Sequence, residues 1–303
     1  MNVEPLLIET SPGVVGAVLV SPAQPPRGAA VILPGVGSTR AGSNQMFVRM
    51  ASSLAAVGIS SLRFDYPGTG ESHLCGTRRW SETTAEIIAW FRARSDTPRV
   101  LLVADCSGVV AAHREVMSGR GVLGAAVVRP AFVGAWPQPS RGRRLRAAAG
   151  RARRFPRSSL IRLRHGAPDQ KIQAIWSKHD LTGMAHTDDL LEELSRRAPL
   201  WVLTAETDPA TPVLRGLHNR LAAGMAYELE VLGGGLTAEC PRPGVAEMAR
   251  STAAWAVRRL GDEEASSTPV PPGSRPLGLR VPSTRSTAGE EAHSAPVHHA
   301  KQR

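Results

Sequence analysis

The alternation of apolar and polar positions opens with a pair of extended segments. Residues 5–10 (PLLIET) and 14–22 (VVGAVLVSP) flank the turn signal Ser11-Pro12-Gly13, which predicts a β-ribbon. Residues 29–33 (AAVIL) form a short continuous apolar run, the pattern of a strand buried on both faces, and end at Pro34-Gly35-Val36-Gly37. Phe47, Met50, Leu54 and Val57 fall on one face of a helix over 45–57, closed by Gly58. Residues 59–64 give another strand, and Ser81 and Glu82 open a helix reaching about Ala93. Residues 99–104 (RVLLVA) are again apolar and run into Asp105-Cys106-Ser107-Gly108, a helix to Met117 and a strand over 122–128.

Residues 133–197 break this rhythm, being basic and then polar, with 189–197 the clearest helix. A strand over 200–204, a helix over 212–223, a last strand over 227–232 and an amphipathic helix over 243–260 follow. Apolar strands alternating with helices indicate an α/β fold with a mostly parallel sheet covered by helices on both faces. The expected organisation is a core of 1–132 and 198–260, a cap or lid insertion over 133–197, and a Pro-, Ser- and Gly-rich tail over 261–303 that is expected to be disordered.

The 303 residues suffice for one large core or two modest ones. Charge changes the picture more than composition does. The net charge of +11 is concentrated: residues 141–164 hold ten arginines and no acidic residue, whereas 262–303 carry five basic and five acidic groups. Such a field attracts anions, and the alternative is a solvated arginine-rich surface. Only Phe155 is aromatic within that stretch, which gives no surface for stacking bases, and no specific nucleic-acid partner is expected. No apolar run reaches the length of a membrane span. The N-terminal MNVEPLLIETSPG lacks a basic start followed by an apolar run, so a cytoplasmic protein without a signal peptide is expected. The three cysteines, Cys75, Cys106 and Cys240, fit neither a zinc spacing nor a disulfide framework. His179-Asp180 and His186 with Asp188 lack a third ligand at fixed spacing, and neither a metal nor another cofactor is expected.

The strongest chemical signal is Ala104-Asp105-Cys106-Ser107-Gly108 between an apolar strand and a helix. A nucleophile elbow needs small residues two before and two after the nucleophile, because its turn is strained and tightly packed. Ala104 and Gly108 bracket Cys106 at those offsets, whereas Asp105 and Val109 would bracket Ser107. A thiol at a helix N-terminus is also favoured as the thiolate by the helix dipole.

On these residues the chain resembles the α/β-hydrolase superfamily, close to its serine-aminopeptidase and acylglycerol-lipase-like branch. Arg63-Phe64-Asp65-Tyr66-Pro67-Gly68-Thr69-Gly70-Glu71-Ser72 is similar to that branch's R-x-D-x-R-G-x-G-x-S loop, with Pro67 in place of an arginine. Leu33-Pro34-Gly35-Val36 resembles its oxyanion loop, with proline for histidine, and Thr204-Ala205-Glu206-Thr207-Asp208 resembles the strand end that supplies its acid. The resemblance covers roughly residues 3 to 260. It implies Cys106 as nucleophile, Asp208 as acid, and the backbone N–H groups of Val36 and Ser107 as the oxyanion hole. A helix N-cap is the alternative for Asp208.

The departure is at the histidine. The loop that carries it in the family reads Gly233-Gly234-Gly235-Leu236-Thr237-Ala238, and leucine cannot accept a proton. His73 is the foremost candidate substitute base; His113, two turns into the helix after the elbow, is expected to face away. Within the cap, Arg143, Arg144, Arg146, Arg153 and Arg154 would suit an anionic handle such as CoA phosphates or the phosphopantetheine of an acidic carrier protein. The expected function is acyl transfer through Cys106: hydrolysis of a small-molecule ester or thioester, or transfer to another acceptor. The alternatives are a degenerate hydrolase fold that only binds, and a non-hydrolytic lyase or cyclase in the same pocket.

Overall fold

The computed structural model describes residues 1–11, 13–35, 38–72, 80–95, 97, 99–130, 187–221, 225–233 and 242–266. The described strands are β1 (Asn2–Thr10), β2 (Gly13–Ser21), β3 (Gly28–Leu33), β4 (Ile59–Phe64), β5 (Val100–Asp105), β6 (Val122–Val128), β7 (Leu200–Ala205) and β8 (Tyr227–Leu232). They form a single sheet in the order β1-β2-β4-β3-β5-β6-β7-β8. β1 pairs antiparallel with β2, and β2 antiparallel with β4. Every other pairing is parallel, from β4 through β8. The described helices are α1 (Met46–Ala56), α2 (Trp80–Ser95), α3 (Val109–Met117), α4 (Thr187–Arg197), α5 (Thr211–Leu221) and α6 (Arg242–Ser266).

The continuous apolar runs follow from burial on both faces. Successive residues of β3 point to opposite sides: Ala29, Val31 and Leu33 enter one core cluster, and Ala30 and Ile32 the other. β5 divides likewise, with Leu102 and Ala104 on the first face and Leu101 and Val103 on the second. The first cluster is closed by Ile87, Ile88 and Phe91 of α2, Val109 and Val116 of α3, Leu191 and Leu194 of α4, and Leu214 and Leu217 of α5. The second is closed by Phe47, Met50 and Leu54 of α1 against Met248, Trp255 and Leu260 of α6.

Three boundaries differ from the sequence expectation. Helix α4 falls inside the span expected to be cap, yet Leu191 and Leu194 bury against the same core as α3. Helix α6 runs to Ser266, six residues into the expected tail. Strand β1 begins at Asn2, three residues ahead of the expected segment, so that Pro5 lies inside it, which an edge strand tolerates. The remaining cap residues and the tail from 267 onward lie outside the described residues.

The segment 63–72 is a structural staple. Asp65, fully buried at the end of β4, accepts the Arg40 backbone N–H at 2.5 Å, the Glu71 backbone N–H at 3.1 Å and the Arg40 guanidinium. The loop after β3 is thereby tied to the loop after β4. Gly70 has φ of 51°, and a Cβ there would lie 2.1 Å from the Asp65 carboxylate, so the loop closes only with glycine. The Ser72 hydroxyl donates to the Asp65 carbonyl at 2.8 Å and accepts the Gly16 N–H at 2.9 Å, joining β2 to the same node. Beyond Asp65, Tyr66 stacks on Trp80 with ring centroids 4.3 Å apart, which seats the first turn of α2.

Removing the Asp65 carboxylate leaves two backbone donors without their acceptor and Arg40 with Glu71 as its remaining described ion-pair partner. Asp65→Ala should therefore lower unfolding stability by about 3–5 kcal/mol. Urea titration is the check, with a fall in midpoint at unchanged m-value as the expected result.

Candidate active site

Parallel strands β3, β5, β6 and β7 all end on one edge of the sheet, and their registers place the site residues in a row. Leu33 is level with Ala104, Asp105 with Val128, and Val128 with Leu203. One residue beyond Asp105, Val128 and Leu203 come Cys106, Arg129 and Thr204, and Gly35 follows Leu33 by two.

Cys106 forms the turn between β5 and α3, and its φ of 55° is in the left-handed region that a residue with a Cβ rarely occupies. A short 3-10 turn, Cys106–Gly108, leads directly into α3. The turn is pressed against the end of β3. A Cβ on Gly108 would sit 2.5 Å from the Leu33 carbonyl oxygen, and one on Gly35 would sit 2.9 Å from the Cys106 Cβ. Ala104, fully buried, completes the set of small residues. Strain at the reacting residue and close approach around it are what a strand-turn-helix elbow requires.

The electrostatics differ from the sequence expectation of a thiolate. Burial pushes the Cys106 thiol up to about 11, and the neighbouring Asp105 carboxylate adds to the rise. Hydrogen bonding from the Ser107 N–H and hydroxyl, together with the Arg129 charge, pulls the other way without prevailing. A helix N-terminus lowers a thiol's pKa only where desolvation does not outweigh it.

Two residues that the sequence reading gave no role stand here. Asp105 is buried, and its Oδ1 accepts from Arg129 Nε at 3.1 Å and from a terminal Arg129 nitrogen at 2.7 Å. Burial raises the Asp105 pKa, with Arg129 opposing. Arg129 also has a left-handed backbone, φ 49°, and its N–H donates to the Leu203 carbonyl at 2.8 Å. The available signal was a single charge of opposite sign at the end of each of two apolar strands.

Asp208 follows β7, two strands from Cys106 with β6 between. Its Oδ1 accepts the Ala210 N–H at 2.9 Å and its carbonyl accepts the Thr211 N–H at 3.0 Å, an Asx turn that leads into α5 two residues ahead of the helix's N-cap position. Nearby, Thr211 Oγ1 donates to the Ala205 carbonyl at 2.5 Å, fixing the loop between β7 and α5. Val36, His73, Leu236, His179, His186, and Arg143, Arg144, Arg146, Arg153 and Arg154 lie outside the described residues. The described histidines are His113 and His218. His113 faces α4, with Nε2 2.7 Å from Glu193, which agrees with its expected outward orientation. His218 packs against Tyr227 at the opposite end of the strands. Among the described residues there is no group of three or more potential metal ligands, and no helix is long and apolar enough to cross a membrane.

No protein-family model matches the sequence, and no curated protein is detectably similar to it. Solved structures do match in fold. An esterase from Pyrococcus furiosus superposes with a TM-score of 0.61 at 12% identity, over 86% of this chain and 92% of that one. A thermostable carboxyl esterase from Bacillus coagulans gives 0.60 at 15% identity, over 86% and 99%. An alpha/beta hydrolase from Penicillium gives 0.59 at 15% identity, over 88% and 100%. At these identities the likeness establishes the fold: the chain has the α/β-hydrolase fold.

The raised thiol pKa has a stability consequence. Between an unfolded value near 9 and the folded value of about 11, the native state binds more protons than the unfolded one. Stability linked to Cys106 is therefore fully present below that window and is lost as pH rises through it. Unfolding titrations should show wild type losing more stability than Cys106→Ala across the window, and parallel curves would contradict the assignment.

Proposed function

We propose that this chain is an acyl-transfer protein of the α/β-hydrolase type, with Cys106 as its nucleophile and a small-molecule ester or thioester as its substrate. The observation that carries the reading is the strained Cys106 turn between β5 and α3, packed against Gly35 and closed by Gly108. The solved structures of like fold, described as esterases and a lipase, support ester chemistry as the reaction class.

In this reading the Cys106 sulfur loses its proton and attacks the acyl carbonyl carbon, giving a tetrahedral oxyanion. The Ser107 N–H, already directed at the sulfur's surroundings, is one donor to that oxyanion, and the Val36 N–H is assigned as the second. Collapse breaks the bond to the leaving group, which departs as a protonated alcohol or as a thiolate that takes its proton from solvent, and the acyl group remains on sulfur as a thioester. Water or another nucleophile then takes the acyl group and returns the proton to sulfur. A leaving thiolate departs more readily than an alkoxide, so a site without a strong base favours thioesters. Asp208 is the acid of the set, His73 the substitute base, and the arginines of the insertion the contact for an anionic carrier such as CoA. Residues 133–197 are assigned as a cap, although α4 at their end belongs to the core.

A second reading is favoured by one observation. A thiol held protonated to about 11, in a chain with Leu236 where the family places its histidine, suits a fold that binds a ligand without covalent chemistry.

Intact-mass spectrometry after incubation with acyl thioesters and activated esters separates the two. An adduct of the acyl mass on wild type, absent from Cys106→Ala, is expected. Its persistence for minutes or longer would identify deacylation as the step weakened by the missing histidine. No adduct and no turnover on any substrate would establish the binding reading instead.

A further inference from the structure

The Asp105–Arg129 pair is not required by the elbow, which needs small residues at 104 and 108 and tolerates any side chain at 105. A buried ion pair carries a desolvation penalty that well-packed apolar residues would avoid. Here it is also built on a strained backbone. Of the four non-glycine residues with positive φ among the described residues, Cys106 and Arg129 each follow directly on the paired strand-end residues Asp105 and Val128. The left-handed turn at Arg129 leaves its N–H bonded to Leu203 while its side chain returns along the edge to Asp105. Two strained residues and a buried charge pair within one row of the sheet require an explanation beyond packing.

We propose that Asp105 is a positioning residue for Cys106: anchored by Arg129 across the β5–β6 edge, its carboxylate adds to the effect of burial in opposing thiolate formation at the elbow. The inference deepens the reading of Cys106 as a nucleophile and rests on it. Asp105 is joined to Cys106 through one peptide bond, so its charge moves with the elbow. Among the described residues, the charged groups acting on the sulfur are Asp105 from β5 and Arg129 from the end of β6, with Ser107 contributing hydrogen bonds. Asp105 has the larger effect of the two charges and disfavours the thiolate, whereas Arg129 favours it. Arg129 thus has two roles. It makes the buried carboxylate tolerable, and it limits how far that carboxylate suppresses the nucleophile. The pair protects the thiol from oxidation and adventitious alkylation, since both proceed through the thiolate.

The test is the pH dependence of Cys106 alkylation by iodoacetamide, read at the Cys106 peptide by mass spectrometry. In wild type the rate should climb toward a midpoint of about 11. Asp105→Asn keeps the shape and removes the charge, so its midpoint should move to lower pH. The neutral-pH rate should then rise on the order of tenfold per pH unit of displacement. The double variant Asp105→Asn/Arg129→Gln removes both charges and should fall between wild type and the single variant. It also keeps the test open should the single variant fail to fold with the Asp105 charge removed from beside Arg129. A merely structural pair would alter the plateau rate through exposure and leave the midpoint in place. A folded variant of either kind whose midpoint coincides with wild type overturns the proposal. Alkylation needs no acyl substrate, so a failure of the ester panel leaves this result readable on its own. A midpoint that stays fixed while Cys106 is still acylated defeats only the role of Asp105.

Discussion

The close approach between the end of β3 and the turn after β5 is the constraint on which the rest of the site depends. The two strands pair in parallel up to Leu33 and Ala104, and immediately beyond that the backbones must part or collide. They part through two glycines: Gly35 lets the β3 loop pass the Cys106 Cβ, and Gly108 lets α3 start beneath the Leu33 carbonyl. This close approach accompanies the left-handed backbone of Cys106, φ 55°. The Ser107 N–H bonds the sulfur from the first turn of the following helical segment, and the proposed reading gives it the role of oxyanion donor. The strain at Cys106 thus goes with packing at the neighbouring strand and persists without a ligand.

Two buried aspartates on this edge show how environment divides one residue type into two roles. Asp65 receives two backbone N–H groups as well as an arginine, and its task is to hold loops. Asp105 receives its described hydrogen bonds from Arg129, and burial raises its pKa against the arginine's pull. Backbone donors fix a carboxylate in place and consume its acceptor capacity. A single side-chain partner leaves it free to act electrostatically on what lies beside it. The first arrangement makes a staple, and the second makes a field at Cys106.

The fold was legible because apolar runs of five to seven residues alternating with amphipathic segments admit few arrangements other than a covered parallel sheet. The elbow was legible for a local reason: the requirement for Ala104 and Gly108 is written at fixed offsets from Cys106. What escaped was non-local. Arg129 lies more than twenty residues from Asp105, and only the parallel register of β5 with β6 brings them level. The protonated state of the thiol escaped for a related reason. A helix N-terminus can be read from sequence, whereas desolvation depends on what packs over the sulfur from other segments. Helix α4 was assigned to the insertion because its polar composition masks the two leucines, Leu191 and Leu194, that bind it to the core.

The thiol's resting state bears on how acyl transfer could proceed here. At neutral pH a group with a pKa of about 11 is deprotonated at a penalty of about 5 kcal/mol, at roughly 1.4 kcal/mol per unit. An ordinary triad meets such a penalty with a histidine; in the proposed reading Leu236 stands at that position and His73 is the candidate substitute. Among the described residues, the groups that stabilise negative charge on the sulfur are Ser107, through its N–H and hydroxyl, and Arg129, through its charge. Each is fixed by the fold before substrate arrives, so each acts without reorganisation when charge develops. Attack on a thioester suits such a site better than attack on an ester, because the departing thiolate is stable enough to leave unprotonated. Hydrolysis of the resulting acyl-sulfur bond gains nothing from the same groups, since it needs a base for water. Under the proposed acyl-transfer reading, these constraints favour an acceptor that brings its own nucleophile over water.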